Sequence, residues 1–153
     1  MSENISHIIS PGGTQSWMMN NLFHRLDGPA LIVPDGTEVW YRFGQLHRED
    51  GPAVIMADGS QEWWFQDECH REYGPAIIRA DGSQEWRFKG GLHRTGGPAV
   101  IRVDGQQEWW VLGRRHRTDG PAVIHADGTQ EWWVNGLEVK RPGYERTADI
   151  TPG

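Results

Sequence analysis

A 23-residue repeat runs through most of this 153-residue chain and constrains its fold more than any other feature. The dipeptide His-Arg recurs five times at intervals of 23 residues, and each copy is followed by Gly-Pro-Ala, by Asp-Gly and by a tryptophan. The full units start at residues 24, 47, 70, 93 and 116, and a half unit over 8–23 precedes them in register. We therefore expect one supersecondary unit per repeat, with a core that forms only when neighbouring units stack.

Each unit contains two short strand-like runs separated by an Asp-Gly turn, and no segment has helical periodicity. In the second unit the runs are Ala-Val-Ile and Glu-Trp-Trp-Phe. Pro11 and Pro34 occupy the position equivalent to Ala57, and proline there favours a three-residue turn, in which a type I turn is closed by a left-handed glycine. Such a turn pairs Ala53 with Trp63.

This turn assigns the side chains of each hairpin to two faces, because side chains alternate along a strand. In the second unit, one face is predicted to carry Ala53, Ile55, Gln61, Trp63 and Phe65. The opposite face is predicted to carry Val54, Met56, Ser60, Glu62 and Trp64. The alanine, the isoleucine and the first tryptophan vary least among the units, so we predict that the first face is the core, with small alanine opposite large tryptophan.

The hairpin unit, with its Gly-containing loop in WWVNGLEV and its Asp-Gly in HADGTQEWW, resembles the MORN repeat. It is similar to the variant found in bacterial and phage proteins and in antitoxin-like proteins of the YwqK type. Glu-Trp-Trp replaces the usual Tyr-x-Gly-x-Trp, and HRxDGPA lengthens the loop. The resemblance implies an all-β fold, an elongated twisted antiparallel sheet of about six stacked 23-residue β-hairpins. Residues 1–136 would form this repeat domain, and 137–153 a cap or tail.

Composition argues against several functional classes. A net charge of −6 disfavours nonspecific binding to nucleic acid or to an anionic membrane, since both depend on basic patches. Cys69 is the only cysteine, so no intrachain disulfide can form. The N-terminus lacks the pattern of a signal peptide, and no window approaches the roughly 18 apolar residues of a membrane-spanning helix. We therefore expect a cytoplasmic protein.

The repeated His, Arg and Glu residues are expected to be structural rather than catalytic. Equivalent residues of successive hairpins should lie about 9 to 10 Å apart, whereas zinc ligands lie about 2 Å from a common ion. We expect each arginine to pair with the aspartate of its own loop and each histidine to bind loop carbonyls. The glutamates should be solvated or paired with arginines of adjacent strands. No metal site, cofactor or enzymatic activity is predicted, the alternative being a local site of one histidine with nearby acids.

In two units another residue replaces the loop aspartate. The loops of the first, second and fifth units carry Asp27, Asp50 and Asp119, whereas the third and fourth carry Tyr73 and Gly96. The predicted arginine–aspartate pair is therefore not indispensable. Cys69, beside His70 in a predicted loop, could act as a low-pKa nucleophile. Leucine or another residue stands there in the other units, which favours an incidental cysteine.

The candidate binding residues lie on the second face, where the side chains vary from unit to unit. We name them the aromatic/Arg strip: Tyr41, Trp64, Arg87, Trp110 and Trp133 in one column, with Met56, Arg79, Arg102 and His125 beside it. Trp, Tyr, Arg and Met are enriched at protein interfaces. The alternative is a second packed layer, in which a curled sheet, the tail or a homodimer buries these side chains.

These features predict a non-enzymatic protein that binds another protein through the aromatic/Arg strip. The resemblance suggests an inhibitor, an antitoxin or immunity protein, or a phage anti-defence factor. The alternative is a small-ligand binding module, in which a sugar or nucleotide stacks on tryptophan beside arginine.

Overall fold

The computed structural model describes residues 4–142, which form 22 β-strands and no helix. The strands are β1 (Ser6–Ile9), β2 (Gln15–Met19), β3 (Leu22–Phe23), β4 (Leu31–Ile32), β5 (Glu38–Val39), β6 (Tyr41–Arg42), β7 (Gln45–Leu46), β8 (Val54–Ile55), β9 (Gln61–Glu62), β10 (Trp64–Phe65), β11 (Glu68–Cys69), β12 (Ile77–Ile78), β13 (Gln84–Glu85), β14 (Arg87–Phe88), β15 (Gly91–Leu92), β16 (Val100–Ile101), β17 (Gln107–Glu108), β18 (Trp110–Val111), β19 (Arg114–Arg115), β20 (Val123–Ile124), β21 (Gln130–Val134) and β22 (Leu137–Val139).

The first hairpins of all the units join into one antiparallel sheet of 14 strands in the described part of the chain. Its order follows the sequence, β1-β2-β4-β5-β8-β9-β12-β13-β16-β17-β20-β21-β22, with β3 paired to β2. The second hairpins form separate two-stranded sheets, β6–β7, β10–β11, β14–β15 and β18–β19. The predicted all-β fold of stacked hairpins is confirmed, and each unit pairs only with its neighbours in sequence.

The first turn of each unit has the predicted three-residue form. In the second unit, the Gly59 N–H donates to the Met56 carbonyl and the Met56 N–H to the Ser60 carbonyl, both at 2.9 Å. Gly59 takes the left-handed φ of 89° that closes such a turn. Val54 consequently lies opposite Glu62, the register that places Ala53 opposite Trp63.

The half unit is in register with the full units. Its hairpin has the same turn, with the Gly13 N–H donating to the Ser10 carbonyl at 2.9 Å. His7 lies opposite Trp17 in the ladder, and the two rings stack with centroids 4.2 Å apart. The half unit therefore covers the first tryptophan of the series.

The second hairpin of each unit turns through two residues, which both take positive φ. The second of these is usually glycine, whereas the first varies and includes Phe43 and Leu112 at φ 49° and 47°. The turns also link successive units, since the Gly113 N–H donates to the Leu92 carbonyl at 2.9 Å. At the C-terminal end, β22 pairs with the second half of β21. The rest of the predicted tail, 143–153, lies outside the described residues.

The core differs from the sequence-based prediction. The alanines are fully buried, as expected, but Ile55 and Trp63 are only half-buried and Phe65 is exposed. The buried aliphatic column lies on the opposite face and consists of Val54, Ile77, Val100 and Val123, from 9% to 0% exposed. In a single-layer sheet no second sheet covers the first face, so its tryptophans are covered by arginines instead.

Five of the six first tryptophans in the described residues lie against the arginine of the His-Arg pair that follows them; Trp132 is followed by Val139-Lys140 instead. The Arg48 guanidinium carbon lies 4.1 Å from the centroid of the Trp40 ring, and its Nη1 donates to the Pro52 carbonyl at 3.2 Å. A Cβ at Gly51 would stand 2.9 Å from the same carbon. The same stack occurs in the pairs Arg25–Trp17, Arg71–Trp63, Arg94–Trp86 and Arg117–Trp109, at 3.8 to 4.0 Å. The glycine of the Gly-Pro-Ala motif is therefore required by the guanidinium packed against it.

Three of these arginines also pair with the aspartate of their own loop, as predicted. The distances from arginine Nε to aspartate Oδ1 are 2.7 Å for Arg25–Asp27, 2.9 Å for Arg48–Asp50 and 2.8 Å for Arg117–Asp119. In each case the arginine hydrogen bond and charge lower the pKa of the aspartate. The ion pairs orient the guanidinium, although the exposed carboxylates limit their contribution to stability.

Substituting alanine for Gly120 tests the packing of glycine against arginine. Its Cβ would lie 2.7 Å from Arg117 Cζ, so the guanidinium must leave the Trp109 ring and its hydrogen bonds. We expect Gly120→Ala to lower the free energy of unfolding by about 1 to 3 kcal/mol, measured by urea denaturation.

Two controls accompany this measurement. Gly12→Ala should be neutral, because its nearest neighbour is Ser10 Oγ at 3.9 Å. In an Arg117→Ala background, Gly120→Ala should have no further effect, since the clashing group is absent. A full loss in that background would show that the glycine acts independently of the arginine.

The histidines bind amide groups, which corrects the prediction that they bind carbonyls. The His47 Nδ1 accepts the Gln66 N–H at 3.3 Å, and the His116 Nδ1 accepts the Asn135 N–H at 3.0 Å. The other three make the same bond to the residue 19 positions later, at 3.0 to 3.2 Å. The acceptor is required because the turn residue has a backbone donor that points at the imidazole of the same unit.

Hydroxyl groups after the Asp-Gly turns link the units on the other side of the sheet. The buried Ser60 Oγ accepts the Ala80 N–H at 2.9 Å, and the Ser83 Oγ accepts the Val103 N–H at 3.0 Å. Thr37 makes the equivalent bond to Ala57 at 3.2 Å. The first three units are therefore tied to the next at both of their turns, whereas the fourth unit has Gln106 in place of the hydroxyl.

Removing one of these hydroxyls should weaken the link between two units. We expect Ser60→Ala to lower the free energy of unfolding by about 0.5 to 1.5 kcal/mol, because the Ala80 N–H loses its acceptor. Thermal unfolding followed by circular dichroism measures the effect. The control Thr129→Ala should change little, since Thr129 is exposed and bonds only Asp127 within its own turn. Equal effects of the two substitutions would contradict the proposed role of Ser60.

Candidate functional site

The tryptophans of the aromatic/Arg strip are held by glutamates two residues earlier in the same unit. The indole N–H of Trp64 donates to Glu62 at 2.9 Å, that of Trp110 to Glu108 at 3.0 Å, and that of Trp133 to Glu131 at 2.7 Å. All three tryptophans are half-buried. Because each bond fixes the polar end of the indole, the rings have a set orientation on the sheet face.

Arg87 replaces tryptophan in the third unit and uses the same acceptor. Its Nε and Nη2 donate to Glu85 Oε2 at 3.0 and 2.8 Å. The glutamate column is thus a row of acceptors for the neighbouring side chain rather than a solvated face. The sequence contains the relevant signal, since a glutamate precedes each of these positions by two residues and so shares its face.

The strip is partly joined to the core at its N-terminal half. Trp64 packs against a buried cluster of Cys69, Ala76 and Ile77. Tyr41, which is half-buried, stacks on Phe23 with ring centroids 5.1 Å apart. Burial, with a smaller contribution from the Asp67 carboxylate, raises the pKa of Tyr41. These two aromatic residues therefore support the fold as well as forming the surface.

Arg115 lies between two tryptophans at the C-terminal end of the strip. Its guanidinium carbon is 5.3 Å from the centroids of both the Trp110 and the Trp133 ring. Nη2 lies 3.4 Å from Glu108 and Nη1 lies 3.6 Å from Glu131, whereas Nε is buried without a hydrogen-bond partner. The residues lining a groove here are Trp110, Gly113, Arg114, Arg115, Trp133, Asn135 and Gly136.

The predicted binding residues omit Arg115. Its column otherwise holds Leu46, Cys69 and Leu92, so an arginine there is the signal that sequence reasoning could have used. The strip therefore has its densest aromatic and cationic group at one end rather than in the middle.

In the second column of the strip, some of the basic side chains have a carboxylate partner and one does not. Arg79 Nη1 lies 3.7 Å from Glu62, and His125 Nε2 lies 2.7 Å from Glu131. Hydrogen bonds from His125 and then Trp133, together with the charges of Arg115 and His125, lower the pKa of Glu131. Arg102 is exposed and has no ion pair within the described residues, while Met56, at the equivalent position of the second unit, is half-buried. Of the three arginines in the strip, Arg79 and Arg87 are thus paired with glutamates and Arg102 is not.

Cys69 lies in strand β11 and not in a loop, which corrects the sequence-based prediction. The thiol is buried, with 4% exposure, within the cluster beneath Trp64. Burial raises its pKa to about 11. A nucleophilic cysteine needs an accessible thiolate, which this environment disfavours. Among residues 4–142, no group of three or more His, Cys, Asp or Glu side chains is arranged to hold a metal ion.

The reactivity of the single thiol provides a direct check. At pH 7 a thiol with a pKa of about 11 is ionised in only about one molecule in ten thousand. Reaction with an aromatic disulfide reagent should therefore be slow in the native protein and become fast in denaturant. Rapid labelling of the native chain at pH 7 would contradict the buried position of Cys69.

Comparisons with known proteins found no relative of this chain. A scan against protein-family models found no match to the chain, and a search of curated proteins found no similar sequence. No helix of the described residues is long and apolar enough to cross a membrane.

Proposed function

We propose that this chain is a non-enzymatic, MORN-like repeat protein that binds another protein through the aromatic/Arg strip. In this role it would act as an inhibitor, an antitoxin or immunity protein, or a phage anti-defence factor. The partner would cover the strip on the face that carries Trp64, Trp110 and Trp133.

The observation that carries this proposal is the hydrogen bond from each strip tryptophan to the glutamate two residues before it. Large side chains that are already oriented lose little conformational entropy when a partner binds. Tryptophan and arginine are also the side chains that most often dominate the energy of a protein interface. The stability of the sheet does not require a row of oriented tryptophans that is left half-exposed. Binding of a partner would account for this row.

The shape of the site also favours a protein over a small molecule. The strip extends over five repeat units from Tyr41 to Trp133, and equivalent side chains stand about 9 to 10 Å apart. A surface of this length suits an extended protein contact, as in other repeat proteins.

Arginine substitutions at Trp64 and Trp110 test the proposal without introducing a new kind of residue. Arg87 already occupies the equivalent position and bonds Glu85, so the fold accepts arginine there. We expect Trp64→Arg/Trp110→Arg to weaken partner binding at least tenfold. The partner would be captured from host cells with the wild-type protein, identified by mass spectrometry, purified and titrated by calorimetry.

The matched control places arginine on the other face of the same two units. Phe65→Arg/Val111→Arg copies Arg42, which stands at the equivalent position in the first unit. This control should keep wild-type affinity, and circular dichroism should show that both variants fold. Equal loss of binding in the two variants, or retained binding after the tryptophan substitutions, would refute a role for the strip.

The groove around Arg115 favours a second candidate function, the binding of a small planar ligand. Two tryptophans and an arginine line it, which suits stacking of a sugar or a nucleobase. Saturable quenching of tryptophan fluorescence by such a compound, lost in Trp133→Ala, would support this alternative. Metabolite pools that leave the fluorescence unchanged would rule it out.

A further inference from the structure

The loop arginines of three units show which ligand the Nε edge of the guanidinium binds. In the first, second and fifth units, arginine Nε donates to an aspartate oxygen at 2.7 to 2.9 Å. The guanidinium is held in place for that bond by the tryptophan ring and by the proline carbonyl, as for Arg48 with Trp40 and Pro52. These loops are therefore carboxylate sites filled from within the chain.

The third and fourth units hold the arginine on the same tryptophan ring and proline carbonyl without the carboxylate. Their loop backbones differ from those of the filled loops, with positive φ of 107° at Gly74 and 80° at Gly96. Arg71 and Arg94 lie 4.0 and 3.8 Å from the Trp63 and Trp86 ring centroids. Their Nη1 atoms donate to the Pro75 and Pro98 carbonyls at 3.1 and 3.0 Å. The residues in place of aspartate are Tyr73 and Gly96.

Within residues 4–142, Nε of Arg71 and Nε of Arg94 have no acceptor. The only buried unpaired side-chain nitrogen in that part of the chain is Nε of Arg115, so both free edges reach solvent. Tyr73 is 80% exposed, and the neighbouring Glu72 carboxylate raises its pKa. In these two adjacent loops the arginine Nε–H is thus open to a ligand, whereas in the other three loops it donates to an aspartate.

We propose that Arg71 and Arg94 form a paired carboxylate-binding site that takes two acidic side chains of an extended segment of another protein. Equivalent positions in adjacent units lie about 9 to 10 Å apart, two strand spacings. Three residues of polyproline II helix rise about 9.3 Å and return side chains to the same face. An acidic segment with carboxylates three residues apart therefore matches both arginines at once.

Two features make this site suited to a protein segment. Stacking on tryptophan holds each guanidinium, so little side-chain entropy is lost on binding. The net charge of −6 opposes anions in general, and a bivalent ligand overcomes this because its second contact is intramolecular. The site lies on the loops next to the first tryptophans and does not include any residue of the aromatic/Arg strip.

The chain itself supplies the substitutions that fill the site. Tyr73→Asp makes the third loop Arg-Glu-Asp-Gly-Pro, the sequence of the second unit, and Gly96→Asp makes the fourth Arg-Thr-Asp-Gly-Pro, that of the fifth. Both loops fold in this protein with the aspartate bound to arginine. The probe is a fluorescein-labelled Glu-Pro-Pro-Glu-Pro-Pro-Glu peptide, followed by fluorescence anisotropy at low salt.

We expect the wild-type protein to bind this peptide and Tyr73→Asp/Gly96→Asp to bind it at least tenfold more weakly. In ¹⁵N-labelled wild-type protein, the Nε–Hε resonances of Arg71 and Arg94 should shift on peptide addition. Those of Arg25, Arg48 and Arg117 should not, since their sites are filled. The reverse substitution Asp50→Tyr recreates the open third loop in the second unit and should strengthen binding about threefold or more.

Controls separate this site from general electrostatics and from the strip. Leu26→Asp/Thr118→Asp adds the same two charges to loops whose arginines are already paired, and the affinity should change less than threefold. Trp64→Arg/Trp110→Arg should bind the peptide as wild type does, so the two surfaces can fail independently.

Several results would overturn the proposal. These are no peptide binding by the wild-type protein, equal binding by the filled variant, or peptide binding without a change in the Arg71 and Arg94 resonances. Displacement of these resonances by tripolyphosphate but not by the peptide would assign the arginines to phosphate, and would also overturn it. A Gln-Pro-Pro-Gln-Pro-Pro-Gln peptide that binds equally well would show that the carboxylates are not recognised.

Discussion

The rest of the structure depends on the contact between an arginine guanidinium and a tryptophan ring, repeated in every unit. A one-layer sheet with very short strands cannot cover its large aromatic residues with a second sheet. The guanidinium supplies that cover, and it keeps its own polar edges free to bond a proline carbonyl and, in three units, an aspartate. The motif HRxDGPA follows from this contact, since the arginine needs a glycine beside it and a carbonyl within reach.

On the opposite face, glutamate and tryptophan side chains of the same unit bond each other in a similar way. Each carboxylate accepts the indole N–H two residues later, so a polar row and an aromatic row satisfy one another. The same face carries the buried column of Val54, Ile77, Val100 and Val123. Charged side chains therefore contact the tryptophans on both faces: arginines on one face and glutamates on the other. Both leave half-exposed aromatic surface, which is why the faces are also the places where binding is proposed.

The units differ at a few positions whose side-chain contacts are otherwise the same in every unit, so the effect of each difference can be read by comparing units. Arg87 replaces a tryptophan and keeps its glutamate, whereas Tyr73 and Gly96 replace an aspartate and leave its arginine without an acceptor. A substitution of the first kind preserves the local set of bonds. Loss of the aspartate instead leaves the arginine Nε–H open to solvent, and the units that keep their aspartate show that this donor binds a carboxylate. Repetition thus provides internal reference sites that a chain without repeats does not offer.

Period, turn type and register could all be derived from the sequence because they depend on local chemistry. Asp-Gly preceded by proline specifies the turn, and the turn specifies which residues lie opposite each other, as Val54 and Glu62 do. The loop ion pairs were also predictable, since Arg48 and Asp50 are two residues apart. The tertiary structure alone decided which face is buried, where the histidines bond and that Arg115 lies between two tryptophans. Burial and the position of Arg115 depend on how a unit packs against its neighbour, and the histidine bonds join residues 19 positions apart in one unit. Local alternation along a strand is the same whichever face becomes buried.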